Sequence, residues 1–288
     1  MTTQTQVSPH LCRLCSGPLL TRFQLAVLNK YQIQYYQCAQ CLSLQTEPAY
    51  WLAEAYGQNL SNLDTGAVQR NWNNFYVIYI LCHIFKLKNL LDLGGGDGLL
   101  CRSLRDYEIN CYVQDEYASP TYAQGFTDPD FEVPDLVLAF EVWEHLPHPS
   151  MDLDKFFGKN PKMLLVTTAI YTDQGSDWWY LSPESGQHIF FYSYQALEHI
   201  AQQKGYELHL IENFILFVRK DTASPFKLTI FKRSLRGKLN RYLRYKIMRK
   251  PAAGGAKVRG RLPNGGGCRP CRRGPCIAAL EAAAESGE

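Results

Sequence analysis

Residues Asn89 to Leu100 read Asn-Leu-Leu-Asp-Leu-Gly-Gly-Gly-Asp-Gly-Leu-Leu. Leu90, Leu91 and Leu93 make a short apolar strand, and Asp92 lies within its last residues. Gly94, Gly95, Gly96 and Gly98 then form a tight turn, and Leu99 to Tyr107 can continue as a helix. Strand, glycine turn and helix together let a ligand lie against bare backbone at the edge of an open α/β sheet. Glycine serves there because it tolerates positive φ and has no Cβ to hold a ligand away. A turn without a ligand is the plainer alternative. Four glycines in five positions, directly after an apolar strand, weigh against it.

The spacing narrows the choice of ligand. A phosphate-binding P-loop ends in Gly-Lys-Ser/Thr, and no Lys follows here. A dinucleotide turn runs Gly-x-Gly-x-x-Gly, whereas these glycines stand at 94, 96 and 98. An acid before them suits a cationic ligand better than a pyrophosphate. The stretch resembles motif I of class I S-adenosylmethionine-dependent methyltransferases, Asp/Glu-x-Gly-x-Gly-x-Gly, at Asp92, Gly94, Gly96 and Gly98. The resemblance implies an α/β fold, a Rossmann-like seven-stranded sheet with helices on both faces. It also implies S-adenosyl-L-methionine as cofactor, with Asp92 at its methionine end.

Ile109 to Val113 reads as the second strand and ends in Gln114-Asp115-Glu116. An acid at that point can accept hydrogen bonds from ribose hydroxyls. Asp115 is assigned first and Glu116 second. Thr121 to Phe131 should hold a third strand, with Ala123 to Phe126 as its edge and Thr127 and Asp128 near adenine. Pro134 to Phe140 is a fourth strand, followed by Glu141-Val-Trp-Glu144-His145-Leu-Pro. That segment resembles the post-strand motif of the same superfamily. By resemblance Phe140 and Glu141 line the methionine end, and Glu144 and His145 face the reaction centre. A backbone-bonding role for His145 at a helix start is an equal alternative. No Asn/Asp-Pro-Pro-Tyr follows the strand, which argues against exocyclic base amines as acceptors. Lys162 to Thr168 is the fifth strand. The loop beyond carries Tyr171, Trp178, Trp179, Tyr180 and Gln187-His188. Aromatics with a few polar groups suit a planar or sugar-like acceptor. His188 is the first candidate for a base that removes the acceptor proton, and His145 the second. A lid of aromatics with His188 bonded to backbone is the alternative. Tyr194 to Lys204 is a helix stopped by Gly205, and Tyr206 to Leu210 and Phe214 to Arg219 pair to finish the sheet.

Upstream, Cys12-Arg-Leu-Cys15 and Cys38-Ala-Gln-Cys41 are two Cys-x-x-Cys knuckles separated by 22 residues. Such a pair reads as a tetrahedral, structural zinc site. Phe23 to Leu28 and Gln32 to Gln37 can pair as strands that join the knuckles. A module this small owes its folding to the metal, on the order of 10 kcal/mol or more. Disulfides or a redox pair are the alternatives. Together with Ser43-Leu-Gln-Thr-Glu-Pro the knuckles resemble the zinc-ribbon leader of bacterial methyltransferases acting on sugars or other small metabolites. A helix is expected from about Ala67 to Lys86; the methyltransferase resemblance implies that Tyr56 upstream and Arg70 can reach the cofactor, and exposed or purely structural roles are the stronger alternative for both. Cys82, Cys101 and Cys111 read as core residues.

The net charge of +3 hides an asymmetry. Residues 1–220 carry 14 Lys and Arg against 23 Asp and Glu, and residues 221–288 carry 16 against 4. The body is therefore a poor match for nucleic acid. Phe226 to Lys250 holds ten basic residues and no acid, with Leu228, Phe231, Leu235, Leu239 and Leu243 along one face. This face of a basic amphipathic helix can dock on the protein, or lie on an anionic membrane or polyanion. Residues 251–288 are expected to be disordered. Met1 to Gln6 has no secretory signature, and Phe75 to Phe85 is too short for a bilayer, which takes roughly 20 residues. A cytoplasmic enzyme is expected, with zinc-ribbon 1–48, methyltransferase 49–220, helix 221–250 and tail 251–288. The expected activity is methylation of a small polar acceptor, more readily at oxygen. An RNA methyltransferase and a cofactor-binding scaffold are the competing readings.

Overall fold

The computed structural model describes residues 7–57, 66–222 and 224–248. The tail 251–288 and residues 59–65 of the first loop lie outside them. The chain opens with four antiparallel strands, β1 (Val7–Leu11), β2 (Pro18–Val27), β3 (Tyr31–Cys38) and β4 (Leu44–Thr46). β2 and β3 are the strands expected between the knuckles. Leu28 and Asn29 turn the hairpin at φ 54° and 53°, the left-handed pair a tight hairpin requires. A short helix α1 (Leu52–Tyr56) and a long helix α2 (Ala67–Phe85) follow.

The leucine-rich strand is central to the second sheet. β5 (Asn89–Leu93) leads through the glycine turn into α3 (Leu99–Asp106) and back to β6 (Asn110–Gln114). β7 (Leu136–Phe140) leads through two short helices, α4 (Pro149–Asp152) and α5 (Asp154–Phe157), to β8 (Met163–Thr167). β9 (Phe190–Phe191) follows a long loop, then α6 (Tyr194–Lys204), β10 (Tyr206–Ile211) and β11 (Phe214–Arg219). The sheet order is β10-β11-β8-β7-β5-β6, with β5 to β8 parallel and the last two strands antiparallel. Side chains alternate across it, as period-2 strands require. Leu90, Leu138, Leu165 and Leu216 pack with Phe75 of α2 on one face. Leu91, Val137, Leu164 and Phe217 pack with Leu197 of α6 on the other. β9 joins β4, so the N-terminal sheet is completed from the loop after β8.

Three expectations differ from what forms. The second sheet has six strands among the described residues where seven were expected. Residues 121–133 make turns, with Gly125 at φ +81° and Pro129 in the run, and a single backbone bond from Val113 N–H to the Phe126 carbonyl stands where a ladder was expected. The basic segment is two helices, α7 (Pro225–Ser234) and α8 (Gly237–Met248), because Gly237 at φ +59° breaks the run. Leu228, Phe231 and Leu235 are buried against α2, so this part of the apolar face docks on the protein, whereas Leu239 is exposed. Val68 is exposed too, and α2 is buried all round only from Phe75 to Cys82. Among the described residues no helix is long and apolar enough to cross a membrane.

The ring of Phe231 is 1% exposed and meets Phe85 edge-on. Phe231→Ala should lower the urea-unfolding free energy by about 3 kcal/mol; an unchanged midpoint would mean that α7 is not part of the core.

Candidate active site

The parallel strands end on one edge, at Leu93, Gln114, Phe140 and Thr167. Asp92, Gly94, Gly96, Gly98, Asp115, Phe140 and Glu141 stand at or just past those strand ends. A Cβ on Gly95 would lie 2.5 Å from Asp92 Oδ2, so the turn closes over the acid only without a side chain. Gly96, at φ +54°, faces open space: a Cβ there would meet nothing within 4 Å. Asp92 is 2% exposed, and its Oδ2 has no partner. Burial, with the charge of Asp115 added, pushes its carboxyl up to about 7. Asp115 Oδ2 accepts the Gly96 N–H at 2.9 Å, and Oδ1 accepts those of Tyr117 and Ala118 at 2.8 Å. The two acids therefore bracket the turn. Glu116 points away and pairs with Lys155 at 2.8 Å on the surface. A buried carboxylate with a spare oxygen beside open backbone fits the cationic end of S-adenosylmethionine.

The other half of the edge is built after β7. Phe140 is half-buried against Phe214. Glu141 takes φ +53°, a left-handed conformation that a non-glycine residue holds only under constraint. The constraint is visible: its backbone N–H donates to the Thr167 carbonyl, and Oε1 accepts from the Thr167 hydroxyl at 2.8 Å. The Tyr180 hydroxyl donates towards Glu141 Oε2 (2.9 Å) and Glu144 Oε1 (2.7 Å). It has one proton for two carboxylates, so the cluster is relaxed when Glu144 holds a proton. Burial first, and the charge of Glu141 second, push Glu144 up to about 8. Its Oε2 has no partner.

Both candidate bases converge on this cluster. His145 closes a short 3-10 turn (Trp143–His145), with Nδ1 3.1 Å from the Tyr56 hydroxyl. Tyr56 in turn stacks on Tyr117. His188 Nδ1 lies 2.7 Å from the Tyr180 carbonyl. A carbonyl only accepts, so Nδ1 carries the hydrogen and Nε2 is left with its lone pair. The two rings are 5.0 Å apart. Burial, with His188 nearby, pushes His145 down to about 3, and burial lowers His188 as well. Both are neutral imidazoles at pH 7. A Glu144 oxygen and one nitrogen of each ring lie within 4.8 Å of one another, close enough to share a small cation. Arg70 and His148 are exposed. In the sequence Tyr180 is one of several loop aromatics that suit an acceptor or, alternatively, close a lid; in the fold its hydroxyl is the bridge of the site.

The four knuckle cysteines meet at the other end of β3. Sγ separations are 3.7 Å for Cys12–Cys41 and 3.5 Å for Cys15–Cys38. None is in a disulfide. Thiolates at 2.3 Å from a tetrahedral zinc would stand roughly 3.8 Å apart, so the set fits that ion. Cys38 Sγ also accepts backbone N–H bonds from Gln40 and Cys41 at 3.3 and 3.4 Å. Cys82, Cys101 and Cys111 are buried in the core, as expected.

Residues 69–211 match the model of a methyltransferase-domain family. With this sheet order and site, they define a class I S-adenosylmethionine-dependent methyltransferase. No curated protein matches the chain. Among solved structures, magnesium protoporphyrin IX methyltransferase from Synechocystis, with bound S-adenosylhomocysteine, is 13% identical at a TM-score of 0.38, over 60% of this chain and 98% of that one. An O-methyltransferase family protein from Burkholderia thailandensis is 12% identical at 0.44, over 59% and 62%. An O-methyltransferase family 2 protein from Planctomyces limnophilus, in complex with apigenin, is 18% identical at 0.34, over 46% and 51%. Likeness of this size carries no argument about the acceptor.

The buried groups give stability a pH dependence of mixed sign. Glu144 and Asp92 are raised in the fold, so the native state holds protons that the unfolded chain has lost. Their contribution is fully present below the unfolded carboxyl values and is lost as pH rises through about 7 to 8. His145 is lowered, so its contribution is present above 6.5 and lost as pH falls towards 3. The influence of His145, and of His188 and His209, which are lowered too, fades within about one unit above 6.5, and the acids dominate from there. The urea midpoint of the cofactor-free protein should therefore drop from pH 6.5 to 8, and Glu144→Gln should flatten the drop. A rising midpoint over that range contradicts a protonated Glu144.

Proposed function

We propose that the protein methylates a hydroxyl of a small polar acceptor, such as a sugar or related metabolite. The observation that carries this reading is the bare Nε2 of a neutral His188, held by a backbone carbonyl at the cofactor edge of the sheet. S-adenosylmethionine supplies an electrophilic methyl group. Asp92 and the glycine turn receive its methionine end, Asp115 its ribose, and Phe140 and Glu141 line the pocket beside them. With that methyl donor bound, whose sulfonium charge is given up on transfer, His188 would hold the acceptor hydroxyl at Nε2 and take its proton, so alignment and proton removal would matter more than charge stabilisation. His145, held by Tyr56, stands beside it as the second base. Tyr171, Trp178 and Tyr180 pack as a wall of the loop and suit a compact acceptor better than a polymer.

One observation favours a second reading of the same pair. Glu144 is buried with Oε2 unpartnered, a carboxylate oxygen of Glu144 lies within 4.8 Å of a nitrogen of each imidazole, and each ring's Nδ1 is fixed by an outer contact. That is the arrangement of ligands oriented for a divalent cation. Turnover lost on chelation and restored by Mg²⁺ or Mn²⁺ would assign Glu144, His145 and His188 as ligands. Chelator-resistant turnover leaves them as bases.

The four cysteines hold, in this reading, one structural zinc, because four thiolates close its coordination shell. The basic residues of α7 and α8 offer contact with an anionic surface. Two measurements test the assignment. His188→Ala should keep cofactor affinity and cut kcat by about 100-fold or more; unchanged turnover removes it as the base. Metal analysis should find about one zinc per chain, and folded, metal-free protein rules the site out.

A further inference from the structure

Arg13 stands between the two cysteines of the first knuckle, yet its side chain leaves the cysteine module. Nη1 donates to the Pro147 carbonyl at 3.2 Å, and Nη2 donates to the Ile189 carbonyl. Nη2 also reaches the Thr46 carbonyl and hydroxyl at 3.4 Å, and the guanidinium lies 5.7 Å from the Phe190 ring centroid. Pro147 comes two residues after His145, and Ile189 directly follows His188. One planar, five-donor group therefore fastens the backbone beside both imidazoles. Neighbouring bonds close the same clasp. The Ile189 N–H donates to the Glu144 carbonyl at 2.9 Å, the Thr46 N–H donates to the Ile189 carbonyl at 3.1 Å, and Ser150 N–H donates to the Arg13 carbonyl at 3.3 Å. Gln45 Oε1 accepts the Arg13 N–H at 2.9 Å and sets the direction of the knuckle.

The cofactor half of the site is built without this clasp. Its contacts are Asp92 against Gly95, Asp115 on Gly96, and Val142 against Gly94. A loosened Arg13 would therefore disturb the histidines and leave the glycine turn in place.

We propose that Arg13 is a positioning residue, which couples the four-cysteine module to the reaction centre by fixing His145 and His188 relative to each other. The role rests on the reading of that pair as the centre of chemistry. It gives the N-terminal module a function in turnover: the knuckle that orders the cysteines also orders the bases. A displacement of about 1 Å at reacting groups can cost up to roughly 100-fold in rate, so loss of the clasp is read in kcat.

The test uses full-length Arg13→Met and Arg13→Lys. Arg13→Met should keep its zinc content and bind S-adenosylhomocysteine within about twofold of the parent, while kcat falls by roughly 10- to 100-fold. The ring C–H resonances of His145 and His188 should shift together in ¹H–¹³C spectra, while those of His83 and His199 stay in place. Arg13→Lys keeps the cation but offers one point of donation, so it should recover part of kcat and part of the shift. It also serves if Arg13→Met fails to fold. Unmoved His145 and His188 signals with unchanged kcat overturn the proposal. So does a fall in cofactor affinity or zinc content in step with kcat, which is the mark of general unfolding. The spectra need no acceptor. Displaced signals uphold the clasp even if His188→Ala shows that His188 is not the base, and unmoved signals reject it whatever the acceptor proves to be.

Discussion

A carboxylate kept from water at the end of the central strand is the constraint around which the site is arranged. Asp92 is sealed by Gly95 and Val113 and has one oxygen without a partner. Leaving such a group unsatisfied costs on the order of 1–3 kcal/mol. A cationic ligand that reaches the spare oxygen recovers it, and the open backbone at Gly96 is the way in. The buried acid and the bare turn make sense together as one half of a site, and neither does alone.

The other half repeats the principle with different chemistry. Glu144 is buried with a spare oxygen, its other oxygen on the phenol of Tyr180, and two half-buried imidazoles stand beside it. Desolvation acts oppositely on acids and on imidazoles, raising the former and lowering the latter. The result is a centre that is nearly uncharged at neutral pH, suited to receive a proton from an acceptor. Three separate stretches of chain supply it: the turn after β7, the loop after β8, and the N-terminal sheet through β9 and Arg13. Since β4 pairs with β9, the cysteine module is fastened to the loop that carries His188.

Much of this was legible in the sequence. Near-continuous apolar runs mark β5, β7 and β8, as strands buried on both faces require, and Asp92 is the exception within them. Glycines at 94, 96 and 98 mark the turn, since all three take left-handed φ. Cysteine spacing marks the knuckles. What stayed hidden has a common cause. β9 is two residues long, too short for any periodic signal. Arg13 bonds to backbone carbonyls, which every residue owns, so no partner in the sequence betrays it. Tyr180 acts through a hydroxyl that meets its carboxylates only after the loop folds back over β7. The third strand and the unbroken basic helix are different: the first follows from the resemblance rather than from any periodicity in residues 121–131, and Gly125, Pro129 and Gly237 already punctuate those stretches in the sequence.

The central claim is a cofactor cavity on the carboxyl edge of the sheet, and a crystal structure with S-adenosylhomocysteine tests it most directly. The ligand is expected over Gly96, with its ribose hydroxyls on Asp115, its amino-acid end towards Asp92, and its sulfur open to the side that holds His145 and His188. Density for the ligand elsewhere, or a bound ligand that touches neither Asp92 nor Asp115, would contradict the account.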